Sequence, residues 1–344
     1  MHTISRVLRS MRTSVPYRHK LSQSVDLRKQ GSVSTLNIPT YTLSDQERDN
    51  FAAAVTSTSL SPYDHYTELL EPLGRIFRET INPDLCQQLR TAALEQKFHG
   101  VLLKNCPINP HPGQTPDHDG LHLPKGFLEE FFLLGLTHVR ESVPHHDREE
   151  RHGLVFLPII TLKGHEDESS SRGRSFPWHT EHVHLSQEEG INIIDLLCVK
   201  GDPNATTGVF SVEGLLQGLP EWVITDMQKP IFKMQTGPSW QSLKIESVQP
   251  ILERNSRGDF TIRFNHDFIH RLVPVNPEAS AVLEYLGPHL KTIEQREFSL
   301  LPGDCLTIHN RRAVHQRRAF VPSTSHEDRR WLIGLYTKSI KNKI

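Results

Sequence analysis

From residue 154 to the C-terminus the chain breaks into short apolar runs divided by turn residues, and this pattern limits its fold more than any other feature. Strand-length runs lie at 154–162, 191–199, 231–235, 260–265, 304–309 and 331–336, with one helical stretch at 277–294. Many short strands without βαβ alternation point to a sandwich or jelly roll rather than a doubly wound sheet. The residues ahead of 154 read mostly as helix. Ser44 and Glu47 form a capping box before a helix into the mid-50s. Residues 65–81 place Leu69, Leu70, Leu73, Ile76 and Phe77 at helical spacing, with Pro72 as a candidate kink. Asn82-Pro83 supplies an N-cap and an N1 proline for a helix to residue 96. A strand at 100–106, a loop at 107–124 and a helix at 125–139 follow. The expected class is therefore α+β, with one domain over residues 35–344, a β core and N-terminal helices around it.

Residues 1–34 read as a disordered extension. The first 25 contain Arg6, Arg9, Arg12, Arg18 and Lys20, several serines and no acid. That composition fits an organelle transit peptide as well as a disordered tail. The expected location is cytoplasmic, or mitochondrial if the segment is a transit peptide.

Charge and cysteines exclude several partners. Lys+Arg 39 against Asp+Glu 40 gives a net charge of -1, without the basic face that a nucleic-acid partner needs. The most apolar stretch, 191–199, is strand-sized and too short to span a membrane. Cys86, Cys106, Cys198 and Cys305 form no C-x-x-C pair, which argues against a zinc ribbon and fits a reducing compartment. The 21 histidines direct attention to a metal site.

Four pairs satisfy H-x-[DE]: His145/Asp147, His165/Asp167, His179/Glu181 and His326/Asp328. Context separates them. Three lie in charged or polar loop-like segments, whereas Phe176-Pro177-Trp178-His179-Thr180-Glu181 precedes a buried strand. His182 and His184 follow closely, but alternation along an extended chain turns them away, so they read as supporting residues. Downstream, the Pro302-Gly303-Asp304 turn, with Asp304 as turn former, feeds a strand that leads to His315. Arg330-Trp331-Leu332 begins fifteen residues beyond His315. Two imidazoles and one carboxylate on one face of Fe(II) leave positions open for a 2-oxo acid and O2. A planar guanidinium suits the distal carboxylate of such an acid, and an Arg in an otherwise apolar strand needs an anion.

This set resembles the clavaminate synthase-like branch of the taurine dioxygenase superfamily, which includes arginine, asparagine and lysine hydroxylases. The resemblance covers roughly residues 35–340 and implies a double-stranded β-helix (jelly roll) core flanked by helices. It implies Fe(II) on His179, Glu181 and His315, with 2-oxoglutarate and O2 as co-substrates. Thr207, in Ala205-Thr206-Thr207-Gly208 with Ser211 four residues on, matches the threonine that contacts the 2-oxo acid. Arg330 matches the co-substrate arginine, with Arg329 as the alternative one register away. Ser169, Asn265 and Asp267 fall where relatives place substrate-binding side chains. The implied activity is hydroxylation or desaturation of an unactivated C–H bond in an amino acid or amino-acid-derived small molecule.

One departure concerns Gly334, where these relatives usually carry a second arginine for the substrate carboxylate. It directs attention to a carrier-attached or masked substrate, or to a substitute cation such as Arg263. A metal-dependent hydrolase and a cupin-like metal-binding protein without turnover are the rival readings. The hydrolase does not require an arginine a fixed distance past the second histidine, and the binding protein does not require all three ligands.

Overall fold

The computed structural model describes residues 36–340 apart from 96–97, 117–125, 147–152, 162–174, 187, 238–243 and 326. The chain opens with β1 (Thr40–Thr42) and α1 (Asp45–Val55). The capping box closes in both directions: Ser44 Oγ accepts from the Glu47 N–H at 3.2 Å, and Glu47 Oε2 accepts from the Ser44 N–H at 2.7 Å. Next comes α2 (Pro62–Thr80), which runs through Pro72; the non-helical residue is His65 (φ -126°, ψ 25°). Proline costs this helix one backbone bond, but its φ is compatible with helix and burial of Leu69, Leu73 and Phe77 holds the segment. Asn82 Oδ1 caps α3 (Pro83–Leu94) by accepting from Asp84 N at 2.8 Å.

Then follow β2 (Gly100–Lys104), α4 (Leu128–Val139), β3 (Ser142–Pro144), β4 (Phe156–Ile160) and β5 (Phe176–His179). The middle of the chain carries β6 (Ile193–Lys200), β7 (Thr206–Ser211), α5 (Val212–Leu216), α6 (Glu221–Met227), β8 (Phe232–Gln235) and β9 (Glu246–Gln249). β10 (Leu252–Arg254), β11 (Phe260–Ile262), β12 (Leu272–Pro274) and α7 (Pro277–His289) come next. The chain ends with β13 (Arg296–Ser299), β14 (Cys305–His309), β15 (Ala313–Arg317) and β16 (Trp331–Ser339).

A seven-stranded sheet runs β1–β2–β14–β6–β16–β3, with β4 also paired to β16; a four-stranded sheet runs β13–β7–β15–β5. One apolar cluster fills the space between them. It joins Ile194, Leu196, Leu306, Ile308 and Leu332 of the large sheet to Val209, Phe298 and Ala313 of the small one. The alternate residues Leu197, Val199, Ile333 and Leu335 face α1, α2 and α4, where Phe51, Phe77 and Phe132 pack edge to face or tilted. Both faces of β6 and β16 are therefore covered, which is why their sequences are apolar without alternation. A third cluster packs α5, α6 and α7 with Trp178, Phe210 and Val314 on the far face of the small sheet. Among the described residues no sheet closes into a barrel.

A buried ion pair ties the helical layer to the large sheet. Arg140, at the C-cap of α4, is 2 % exposed and Asp195, in the middle of β6, is fully buried. Arg140 Nη1 donates to Asp195 Oδ1 at 2.9 Å and Nη2 donates to Asp195 Oδ2; the Thr307 hydroxyl also donates to Asp195 Oδ1, at 2.6 Å.

The small sheet departs most from the sequence expectation, since 176–179, 206–211, 296–299 and 313–317 carry too few apolar residues to be read as strands. The run expected at 260–265 is strand only to Ile262; Asn265 instead makes a single antiparallel bridge to His179. The helix expected to reach 294 ends at His289.

Candidate metal centre

The small sheet brings the sequence-predicted ligands together. β5 and β15 are antiparallel neighbours with His179 directly opposite His315. Side chains directly opposite on a sheet share one face, so residues 136 apart in the chain become adjacent. The two rings lie 4.2 Å apart between centroids. Glu181 Oε1 is 3.4 Å from His179 Nε2 and 3.9 Å from His315 Nε2. One ligand atom from each of the three lies within 4.8 Å of the others.

Each residue of the His-Thr-Glu string is fixed by a separate contact. His179 Nδ1 donates to the Pro177 carbonyl at 2.6 Å; because a carbonyl only accepts, the proton sits on Nδ1 and the Nε2 lone pair faces the carboxylate. Thr180 pairs with Phe264: its N–H donates to the Phe264 carbonyl at 2.8 Å and its hydroxyl accepts from the Phe264 N–H at 3.0 Å. The peptide of Glu181 is held at both ends by Asn310, whose Oδ1 accepts from Glu181 N at 2.8 Å and whose Nδ2 donates to Glu181 O at 3.0 Å. The chain then turns through His182, at a left-handed φ of 52°. His182 and His184 are buried outside the ligand cluster, and the His182 ring meets Tyr336 edge-on at 5.6 Å.

Electrostatics favour the metal-binding protonation states. Burial raises the Glu181 carboxyl pKa, but the adjacent His179, with His315 and His182, outweighs it and holds the group well below the usual carboxylate range. Burial, then the neighbouring His179, pushes His315 down to about 3 against the pull of Glu181. A neutral imidazole beside an ionised carboxylate is the donor state that a divalent transition metal requires. Among the described residues the buried Nε2 of His179 has no hydrogen-bond partner, and it sits 3.4 Å from Glu181 Oε1, so the donor set fits a metal ion.

Thr207 and Arg330 line the same cavity as the three ligands, together with Phe176, Ile159, Leu196 and Tyr336. Thr207 reaches it from β7, where it lies opposite Arg317 of β15. Arg330 immediately precedes β16 and is 6 % exposed. Among the described residues its guanidinium has no ion-pair or hydrogen-bond partner. Burial lowers its pKa to about 10, with Cys198 and Asp202 acting in the opposite direction. Arg330, rather than Arg329, lines this cavity, and the Nε of Arg329 donates to the Ser323 carbonyl at 3.1 Å.

The remaining expected residues fall as follows. Asn265 and Asp267 form the turn beside His179, where Asn265 Oδ1 accepts from Asp267 N at 2.9 Å and Asp267 Oδ1 accepts from His270 N at 2.9 Å. Ser169 lies outside the described residues, as do Asp147, His165, Asp167 and His326. Ser211 caps α5, accepting from Gly214 N at 3.0 Å. Asp304 is a turn former: its Oδ2 accepts from Leu301 N at 3.1 Å beside Gly303, whose φ of 83° favours glycine. Arg263 does not serve as a substitute cation, because Nη1 and Nη2 pair with Glu253 at 3.0 and 2.8 Å.

Comparison with known proteins matches residues 229–336 to the family model described as Taurine catabolism dioxygenase TauD, TfdA family. The matched segment contains His315 and Arg330. The resemblance to the taurine dioxygenase superfamily holds. L-asparagine oxygenase of Streptomyces coelicolor is 27% identical over 187 residues, 53% of this chain and 54% of that protein. L-lysine 3-hydroxylase of Catenulispora acidiphila is 26% identical over 189 residues, 52% of this chain and 51% of that protein. The matches thus span about half the length of these curated relatives. A solved asparagine oxygenase, in complex with Fe(II), 2S,3S-3-hydroxyasparagine and succinate, shares the fold with a TM-score of 0.74. It is 21% identical, over 86% of this chain and 92% of that one. The non-heme iron oxygenase OrfP, in complex with Fe and alpha-ketoglutaric acid, gives a TM-score of 0.75 at 21% identity, over 89% of this chain and 96% of that one.

Proposed function

We propose that the chain is an Fe(II)- and 2-oxoglutarate-dependent oxygenase that hydroxylates or desaturates an unactivated C–H bond of an amino acid or amino-acid derivative. The observation that carries this reading is the buried guanidinium of Arg330, unpaired among the described residues, in one cavity with a two-histidine, one-carboxylate cluster. His179, Glu181 and His315 hold Fe(II), which supplies O2 activation coupled to oxidative decarboxylation of 2-oxoglutarate. Arg330 binds the C5 carboxylate of the co-substrate through its planar donor pair, and Thr207 contributes a hydroxyl. Ile159, Leu196 and Phe176 line the cavity with apolar surface and limit water at the reacting centre. The named activities of the asparagine and lysine relatives support a small amino-acid substrate. The two facing sheets are read as a double-stranded β-helix, and residues 35–344 as a single catalytic domain.

The test is succinate release from 2-oxoglutarate by the purified chain. The account expects release that needs both Fe(II) and 2-oxoglutarate and that rises with an accepted amino acid. A metal-dependent hydrolase would bind the ion and release no succinate, and a binding protein without turnover would do the same. The absence of succinate from iron-loaded protein under O2, with the amino-acid panel present, would sink the oxygenase reading.

A further inference from the structure

We infer that Arg271 holds a carboxylate of the substrate, so that the enzyme acts on a free amino acid rather than on an amide, ester or carrier-linked form. This inference rests on the oxygenase reading above and assigns the anion site that Gly334 leaves open.

Gly334 lies on the same face of β16 as Leu332 and Tyr336, which line the cavity. A Cβ at Gly334 would come 3.0 Å from Ile159 Cδ1 and 3.4 Å from Leu157 Cβ. The apolar side chain of Ile159 closes this position to any long cationic residue. A substrate carboxylate therefore needs a cation from elsewhere, since an unpaired buried carboxylate costs several kcal/mol.

The turn 265–271 approaches the metal centre from the small-sheet side, because Asn265 bridges the backbone of His179. Arg271 ends this turn and leads into β12. Its N–H donates to the Asp267 carbonyl at 3.0 Å, and its carbonyl accepts from Gln235 N at 3.1 Å, so the backbone under the side chain is fixed. The guanidinium lies over Gly237, where a Cβ would collide with Nη1; glycine there leaves room for it. Arg271 is half-buried, and among the described residues no carboxylate lies within ion-pair distance of its guanidinium. Burial lowers its pKa, while the charges of Asp267 and Glu181 act in the opposite direction, which puts the cation within electrostatic reach of the metal ligand. Two other guanidiniums are committed: Arg263 to Glu253, and Arg312 to Glu213 and the Phe260 carbonyl. Arg271 beside Asp267 presents a cation and an anion side by side, which complements the carboxylate and ammonium of a free α-amino acid.

The experiment compares free L-amino acids with their carboxamides in coupled succinate formation, for wild type, Arg271→Gln and Arg271→Lys. Anaerobic calorimetry on the iron- and 2-oxoglutarate-loaded proteins reads binding of the same compounds without turnover. Wild type should accept a free acid and disfavour its amide. Arg271→Gln should weaken binding of that acid and raise its KM by about 10- to 100-fold, with kcat changed less. Arg271→Lys should recover part of the loss, and all three proteins should bind one Fe(II) and 2-oxoglutarate equally. Preference for the amide, acceptance of no free acid by a succinate-producing wild type, or unchanged binding in Arg271→Gln would overturn the inference and leave the oxygenase reading standing. A wild type that binds no iron and yields no succinate overturns both.

Discussion

Arg330→Ala should raise the 2-oxoglutarate requirement by about 30-fold to several thousand-fold while leaving one Fe(II) bound per chain. Truncating one partner of a buried, hydrogen-bonded charge pair costs about 2–5 kcal/mol, and each ~1.4 kcal/mol is a factor of ten in affinity. Arg330 is buried, lines the cavity of the three candidate ligands and has no ion-pair partner among the described residues, so its loss falls on the co-substrate. Arg330→Lys should recover little, because a single ammonium does not reproduce the two-donor fork. Steady-state titration of 2-oxoglutarate, at saturating amino acid, checks the shift. An equal rise in both substrate requirements would point to a disturbed fold and count against the assigned role.

Arg140→Ala should destabilise the fold by about 3–5 kcal/mol, because it leaves Asp195 charged and unpaired in the middle of β6. Thr307 alone cannot satisfy both carboxylate oxygens, since its hydroxyl donates to Oδ1 only. Asp195→Ala should cost a similar amount by stranding the guanidinium. The double variant Arg140→Met, Asp195→Leu should lose far less than the sum, since a buried pair replaced by apolar side chains removes both desolvation costs. Urea denaturation with a shared m-value reads all three. A loss under about 1 kcal/mol for Arg140→Ala would place the pair in a wetter environment than its burial indicates.

Most of the large sheet and the helices α1 to α4 and α7 were legible because their residues are apolar in patterns that only burial explains; the short elements β1, β3, α5 and α6 were not. β6 and β16 are covered on both faces, and the Ser44–Glu47 and Asn82 caps mark helix starts by chemistry local in sequence. The small sheet was not. Phe-Pro-Trp-His, Thr-Thr-Gly-Val-Phe-Ser, Arg-Glu-Phe-Ser and Ala-Val-His-Gln-Arg spend their inward positions on ligands, hydroxyls and cavity-lining groups as well as on core packing. Tertiary pairing rather than propensity makes them strands. The candidate metal cluster was nevertheless legible, because the spacing of His179 and Glu181, and the Gly-Asp turn before the strand leading to His315, survive without knowledge of the strands that carry them.

What the sequence hid is pairing between distant residues. Asn310 clamps the Glu181 peptide across 129 positions, and its only local signal is its place between a strand and His315. Arg271 stands in a turn without a sequence signal, and the bridge between Asn265 and His179, with the His266 N–H donating to the Trp178 carbonyl, brings that turn to the site. Arg263 has the right charge beside the right strand, yet its pairing with Glu253 removes it from consideration.

The measurement that bears most directly on the whole account is anaerobic Fe(II) titration by calorimetry of wild type, His179→Ala and His315→Ala, with 2-oxoglutarate added after the metal. Wild type should bind one Fe(II) per chain and then one 2-oxoglutarate, and each histidine variant, still folded, should lose the metal step. Stoichiometric iron with unchanged affinity in His179→Ala would contradict the assignment of the centre.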